Sequence, residues 1–216
     1  MKTISYRPRN PGHDYYGIGT YLITLVVRGR KPLFGRLGND AAHPEMQLSP
    51  LGKAVQQVWK QIPERQAELG NRVADHACVC LPDHFHGVIE VLEPMQWSLG
   101  DIIQGMKTAC TQRWWQMNGV PASINRPNSV DCNNANLPKW LREKATIYQS
   151  DGELIRHLSK KQRQEYYALV GREQRPLFDD NYDDTVCLNS RHREAMIAYV
   201  HDNSRRAILR RTLPDV

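Results

Sequence analysis

The stretch LPDHFHGVIEV, residues 81 to 91, carries two histidines one residue apart, His84 and His86, ahead of an apolar run. The run reads as a strand, where residues i and i+2 project from one face. Both imidazoles therefore aim the same way, about 6 to 7 Å apart at Cα, close enough to bind one ion. Two histidines are too few for most catalytic metals, so a third ligand is required from elsewhere. The C-terminal segment offers one. Tyr199 and Asn203 stand four residues apart and share a face of a predicted helix. An amide oxygen from Asn203 would complete a His84/His86/Asn203 set suited to a hard divalent ion, Mg²⁺ or Mn²⁺, with open positions. Tyr199, one turn away, would hold its phenol near that ion.

The elements that must position these groups follow from hydrophobic spacing. GTYLITLVVRG (19 to 29) is β-branched and aromatic and predicts a strand. Residues 49 to 69 place Leu51, Ala54, Val55, Val58 and Trp59 at helical spacing, with Ser49 as cap, Pro50 at the first position and Pro63 as a shortening signal. RVADHACVC (72 to 80) and FHGVIEVLE (85 to 93) predict two strands joined as an antiparallel hairpin through Leu81-Pro82-Asp83. Residues 98 to 119 predict a helix stopped by Gly119. Residues 121 to 138 are rich in Asn, Pro and Ser and read as a loop or insertion. Residues 139 to 170 are charged and helical in composition, and 175 to 190 read as a loop with a short strand. A last helix spans 190 to 209, with Ser190 as its cap and arginines at its end. This order predicts an α+β fold: an antiparallel sheet, ferredoxin-like or RRM-like, with helices mainly on one face.

The 216 residues suit a single domain spanning 1 to 216, with an insertion at about 119 to 174. No apolar run is long enough for a membrane span, and the N-terminal residues show no secretory h-region, so a cytoplasmic protein is expected. The five cysteines are irregularly spaced and form neither a disulfide framework nor a zinc ribbon. Cys78 and Cys80 alternate with His76 on one predicted strand face; two small buried side chains beside a satisfied histidine is the favoured reading over a thiolate site. The formal charge of +6, with a pI near 9.1, favours an anionic partner. Its placement says more: RGRKPLFGR (28 to 36) and NSRRAILRR (203 to 211) flank the candidate site in sequence.

With these residues in view, the chain resembles the HUH single-tyrosine transposases, and within them the REP-associated tyrosine transposases. LPDHFHGVIEV is similar to the family's Pro-x-His-hydrophobic-His turn into a strand. YVHDNSRRA (199 to 207) resembles its Tyr-hydrophobic-x-x-Asn-Pro segment, with Ser204 in place of proline, and TYLITLVVRGRKPLFG resembles its first strand and basic turn. The likeness covers about 15 to 118 and 175 to 209; LFDDNYDDTV is only loosely like the family's corresponding stretch. The resemblance implies that Tyr199 is the nucleophile, that His84, His86 and Asn203 hold the metal, and that the product is a 5′-phosphotyrosine link on single-stranded or hairpin DNA. It implies a nucleoid-associated location and leaves monomer and homodimer both open. Arg28, Arg30, Lys31, Arg205 and Arg206 are then candidates to grip phosphates. Tyr182 is the second candidate nucleophile. Tyr15 and Tyr16 suit packing or base stacking, Tyr166 and Tyr167 diverge on a helix, and Trp114 and Trp115 could stack on bases. Two other functions stay open: a DNA-hairpin binder without catalysis, and an HxH metal hydrolase of small substrates.

Overall fold

A computed structural model describes residues 12–118, 138–147, 154, 156–169 and 176–212. The chain divides into two compact units, Met1–Cys110 with Leu177–Val216, and Thr111–Pro176. In the first unit, strands β1 (Gly19–Val26), β4 (Val73–Leu81), β5 (His84–Val91) and β6 (Asp183–Val186) form one sheet in the order β4-β5-β1-β6. All three pairings are antiparallel. Helices α1 (Pro50–Lys60) and α2 (Ile62–Glu68) precede β4, α3 (Leu99–Met117) follows β5, and α6 (Ser190–Thr212) follows β6. This βαββαβ order is the antiparallel α+β sheet expected from the sequence. A hairpin of two short strands, β2 (Gly35–Leu37) and β3 (Met46–Leu48), is added before α1 and was not legible in the hydrophobic pattern.

Each element follows from local chemistry. Ser49 Oγ accepts the Gly52 amide at 3.1 Å and Pro50 opens α1. The buried side of α1 is Leu51, Ala54, Val55, Val58 and Trp59, as spaced in the sequence. The expected helix over 49 to 69 is two helices, because the chain departs from regular geometry at Gln61, just ahead of Pro63. The last helix is capped one residue earlier than expected: Asn189 Oδ1, not Ser190, accepts the His192 amide at 2.9 Å. In the second unit, α4 (Lys139–Ile147) and α5 (Lys160–Leu169) are linked by the Trp140 indole N–H donating to Glu165 at 3.2 Å. Residues 121–137 of the Asn-, Pro- and Ser-rich segment lie outside the described residues.

The two faces of the sheet have separate duties. Tyr21, Ile23, Leu25, Cys80, Phe85, Ile89 and Val91 are buried on one face. There Trp59 of α1 meets Phe85 with ring centroids 5.0 Å apart. The other face, carrying His84, His86, Val88 and Glu90, receives α6. A bulge between Asp75 and Ala77 in β4 changes the parity of His76. His76 therefore meets Glu90 at 2.6 Å on the α6 face, while Cys78 and Cys80 pair with Gly87 and Phe85 on the opposite one. This corrects the shared face expected for His76 and the two cysteines.

Gly87, between His86 and Val88, lets α1 approach the sheet: a Cβ there would lie 2.5 Å from the Trp59 ring. Gly87→Ala is expected to destabilise the protein by about 1–3 kcal/mol through overpacking. Urea unfolding measures this as a lower midpoint at unchanged m. A loss under about 0.5 kcal/mol would contradict the packing described.

Candidate functional site

The β4–β5 turn is two residues, Pro82 and Asp83, with Leu81 paired to His84. In β1, Val26 is the cross-strand partner of His84 and Thr24 that of His86. Paired residues share a face, so this register puts both histidines under α6. Their rings stand 4.9 Å apart between centroids, nearly perpendicular. His86 is almost fully buried.

Each imidazole has its Nδ1 occupied. His84 Nδ1 lies 2.6 Å from Asp83 Oδ1, and an ionised carboxylate only accepts, so the proton sits on Nδ1. Asp83 Oδ2 accepts from Arg30 at 3.0 Å. Burial would raise the Asp83 pKa, but the hydrogen bond and charge of His84, then those of Arg30, hold it down to about 2. His86 Nδ1 is 2.9 Å from Thr24 Oγ1. Donation from Nδ1–H to that hydroxyl, like donation from His84 to Asp83, leaves Nε2 with its lone pair for a ligand. Such outer partners set tautomer and ring orientation in metal sites. Burial, then the charges of His84 and Arg210, push the His86 pKa down to about 3, so the ring is neutral at pH 7.

Helix α6 brings the remaining groups. Met196 and Val200 pack on Ala77 and Val88, and Ile208 packs with Leu81 and Leu37. Arg193 pairs with Glu90 at 3.2 Å. These contacts run α6 antiparallel to β5, from Glu90 toward the turn. Tyr199 thereby falls level with His86, ring centroids 5.5 Å apart in an edge-to-face arrangement. Asn203 lies about 6 Å further along the helix axis, a step matching the rise from His86 to His84 along β5. Asn203 is buried, and its Nδ2 has no hydrogen-bond partner. An orphaned buried amide is costly; rotated about its last bond, it would present Oδ1 from that position to a cation. Among the described residues, no group of three or more His, Cys, Asp or Glu could hold a metal. The Asn203 amide is a donor of another type, and it fits the hard-ion donor set.

The expected phosphate-gripping cations differ in their commitments. Arg28 pairs with Asp180, Arg30 with Asp83, and Arg205 with Asp202 at 3.6 Å. Lys31 is exposed. Arg206 places its guanidinium carbon 5.0 Å from the centre of the Tyr199 ring. Tyr182 lines a groove with Ser98, Asp101, Gln104, Asp180 and Asn181. Tyr15 is a packing residue, stacked on Tyr21 and bonded to Asp184 at 2.8 Å. Tyr16 is exposed.

Sequence reasoning missed Thr24, Asp83, Arg210 and Lys107. Asp83 carried a legible signal, a carboxylate adjacent to a candidate ligand. Thr24 had none, since its role depends on cross-strand register. Buried Lys107 donates to the carbonyls of Asp179 and Asp180 at 2.6 and 2.8 Å, fixing the loop that carries Asp180. Desolvation, against the attraction of Asp180, lowers its pKa to about 8.

No family model matches the chain. It is 28% identical over 136 residues to an uncharacterized protein of Haemophilus influenzae, covering 63% of this chain and 67% of that one. The structure of a REP-associated tyrosine transposase bound to a REP hairpin is similar with a TM-score of 0.47 and 12% identity, covering 96% of this chain and 74% of that one. Likenesses this distant assign no activity, and the functional reading rests on the site's own geometry. No helix among the described residues is long and apolar enough to cross a membrane.

The burial of neutral His86 has a pH signature in the metal-free protein. Its folded pKa near 3 lies below the ordinary value of 6.5. Between those values the unfolded chain binds a proton that the folded one does not, so stability rises with pH and falls as pH drops below about 6.5. The loss approaches about 1.4 kcal/mol per pH unit. The Asp83 contribution is present above the unfolded carboxylate value, about 3.9, and is lost only as pH falls toward 2. Urea unfolding in chelator between about pH 7 and 5 should therefore show a slope that His86→Gln flattens. Equal slopes in the two proteins would contradict the assignment.

Proposed function

We propose that this chain is a divalent-metal-dependent, single-stranded DNA endonuclease and strand transferase that works on hairpin-bearing DNA through Tyr199. The observation that carries the reading is one juxtaposition: the Tyr199 ring lies against His86, beside a second free imidazole nitrogen and an unpartnered buried amide. A hydrolase of small substrates would need no tyrosine at that position. The basic flank of α6 favours a polyanion.

Mg²⁺ or Mn²⁺ held by His84, His86 and Asn203 would supply Lewis-acid polarisation of a non-bridging phosphate oxygen. The chain's own groups do the rest. Asp83 and Thr24 hold the two imidazoles in position, and Arg206 lies over the Tyr199 ring. The Tyr199 Oη bonds to phosphorus while the bond to the 3′-oxygen breaks. The phenolic proton passes to solvent, and the leaving oxygen takes one up as a 3′-hydroxyl. One phosphodiester is exchanged for a 5′-phosphotyrosine ester, so the reverse attack by a 3′-hydroxyl rejoins DNA without a nucleotide cofactor. Placement supplies much of the rate, because a free phenol with a pKa near 10 is a weak nucleophile at neutral pH.

The test is a denaturing gel of the protein with labelled hairpin-bearing single-stranded DNA and Mn²⁺. A covalent band is expected for wild type, none for Tyr199→Phe, and at least about 100-fold less for His86→Ala. A band that survives Tyr199→Phe overturns the nucleophile. Tight binding with no band across a panel of hairpins favours a DNA-binding protein without catalysis.

A further inference from the structure

The arginines around the site divide into paired and unpaired. Arg28, Arg30, Arg193 and Arg205 each have an acidic partner. Arg206 and Arg210 have none among the described residues, and both are exposed. On α6 they continue the stripe of the site: Tyr199, Asn203, Arg206 and Arg210 fall at i, i+4, i+7 and i+11, a single helical face. Side chains on a helix lean toward its N-terminus. Arg206 does so, reaching back over the Tyr199 ring. Ile208 packs on Leu81, the cross-strand partner of His84, so this end of α6 passes over the histidine turn.

We propose that Arg206 and Arg210 form a two-arginine clamp for the phosphodiester backbone of single-stranded DNA, seated over Tyr199 and the histidine turn. The inference rests on the reading above for its ligand and goes beyond it in separating these two arginines from the ion-paired ones. Two guanidiniums on one helix face, with no acidic partner among the described residues, keep their charge because both heads reach solvent; an oxyanion between them supplies a counter-charge. Guanidinium also suits phosphate by its planar fork, and in Arg206 that plane can hold the phenol and a phosphate oxygen together.

The test uses the full-length chain with Tyr199→Phe, in chelator, so that neither the nucleophile nor the metal contributes. The probe is a fluorescent single-stranded oligonucleotide of about 20 nucleotides, titrated by anisotropy between about 50 and 200 mM NaCl. Arg206→Gln and Arg210→Gln should each reduce the log–log salt slope by about 0.7, and Arg206→Lys should retain it. Arg72→Gln, which removes the same charge from a residue paired with Glu93, should leave it unchanged. A parental slope in either Gln variant, or an equal reduction in Arg72→Gln, overturns the clamp. The outcomes separate from the catalytic reading: reduced slopes without a covalent adduct in wild type would sustain the clamp and sink the nuclease, and an adduct with unchanged slopes would do the reverse.

Discussion

The site depends on the register of β5 against β1. Side chains alternate along a strand, so slipping the pairing by one residue would exchange His84, His86 and Val88 for Phe85, Gly87 and Ile89. That slip would turn both imidazoles into the α1 layer and Phe85 out toward α6. The register is held from both sides. Phe85, Ile89 and Val91 are completely buried, each worth about 1.5–3 kcal/mol, and Gly87 admits the Trp59 ring where a Cβ would lie 2.5 Å from it. On the other face, Val88 is packed under Met196 and Val200. The hydrophobic core and the histidine pair are two faces of one constraint.

Electrostatics then decide which groups remain available. Most charges near the site are answered locally: Arg30 and His84 share Asp83, Arg28 meets Asp180, and Glu90 meets both His76 and Arg193. Among the described residues of this helix stripe and the strand beneath it, the Nε2 edges of two imidazoles, one buried amide and two guanidiniums are left without such partners. A neutral imidazole beside unneutralised arginines suits a site that receives an anion and a cation together. Ser204 contributes to this arrangement. It keeps its backbone N–H inside α6, which runs on to Thr212, so Arg206 and Arg210 stay on the face of Tyr199. Proline at that position would remove a helix hydrogen bond and bend the stripe.

The sheet, its hairpin and the long final helix were legible because their periodicities are plain: alternation through 84–91, and Leu51, Val55, Val58 and Trp59 on one side of α1. The shared direction of His84 and His86 was legible for the same reason. What escaped had no local signature. The β2–β3 hairpin consists of two three-residue strands, too short to show a period. The bulge that turns His76 from the cysteines toward Glu90 depends on pairing with β5, and Thr24 becomes a partner of His86 only across strands. Arg30 and Arg28 looked like free cations because the carboxylates that pair with them, Asp83 and Asp180, are distant in sequence.

Both imidazoles have Nδ1 engaged and Nε2 turned to a ligand, and in the proposed function Asn203 shares their ion. Nitrogen-15 NMR of the histidine rings, recorded in chelator and then with Mn²⁺, addresses it directly. Expected are the Nδ1–H tautomer of His86 at pH 7, paramagnetic broadening of both Nε2 signals on adding metal, and a much weaker response in Asn203→Ala. An Nε2–H tautomer at His86 that persists with metal, or broadening unchanged by Asn203→Ala, would contradict it.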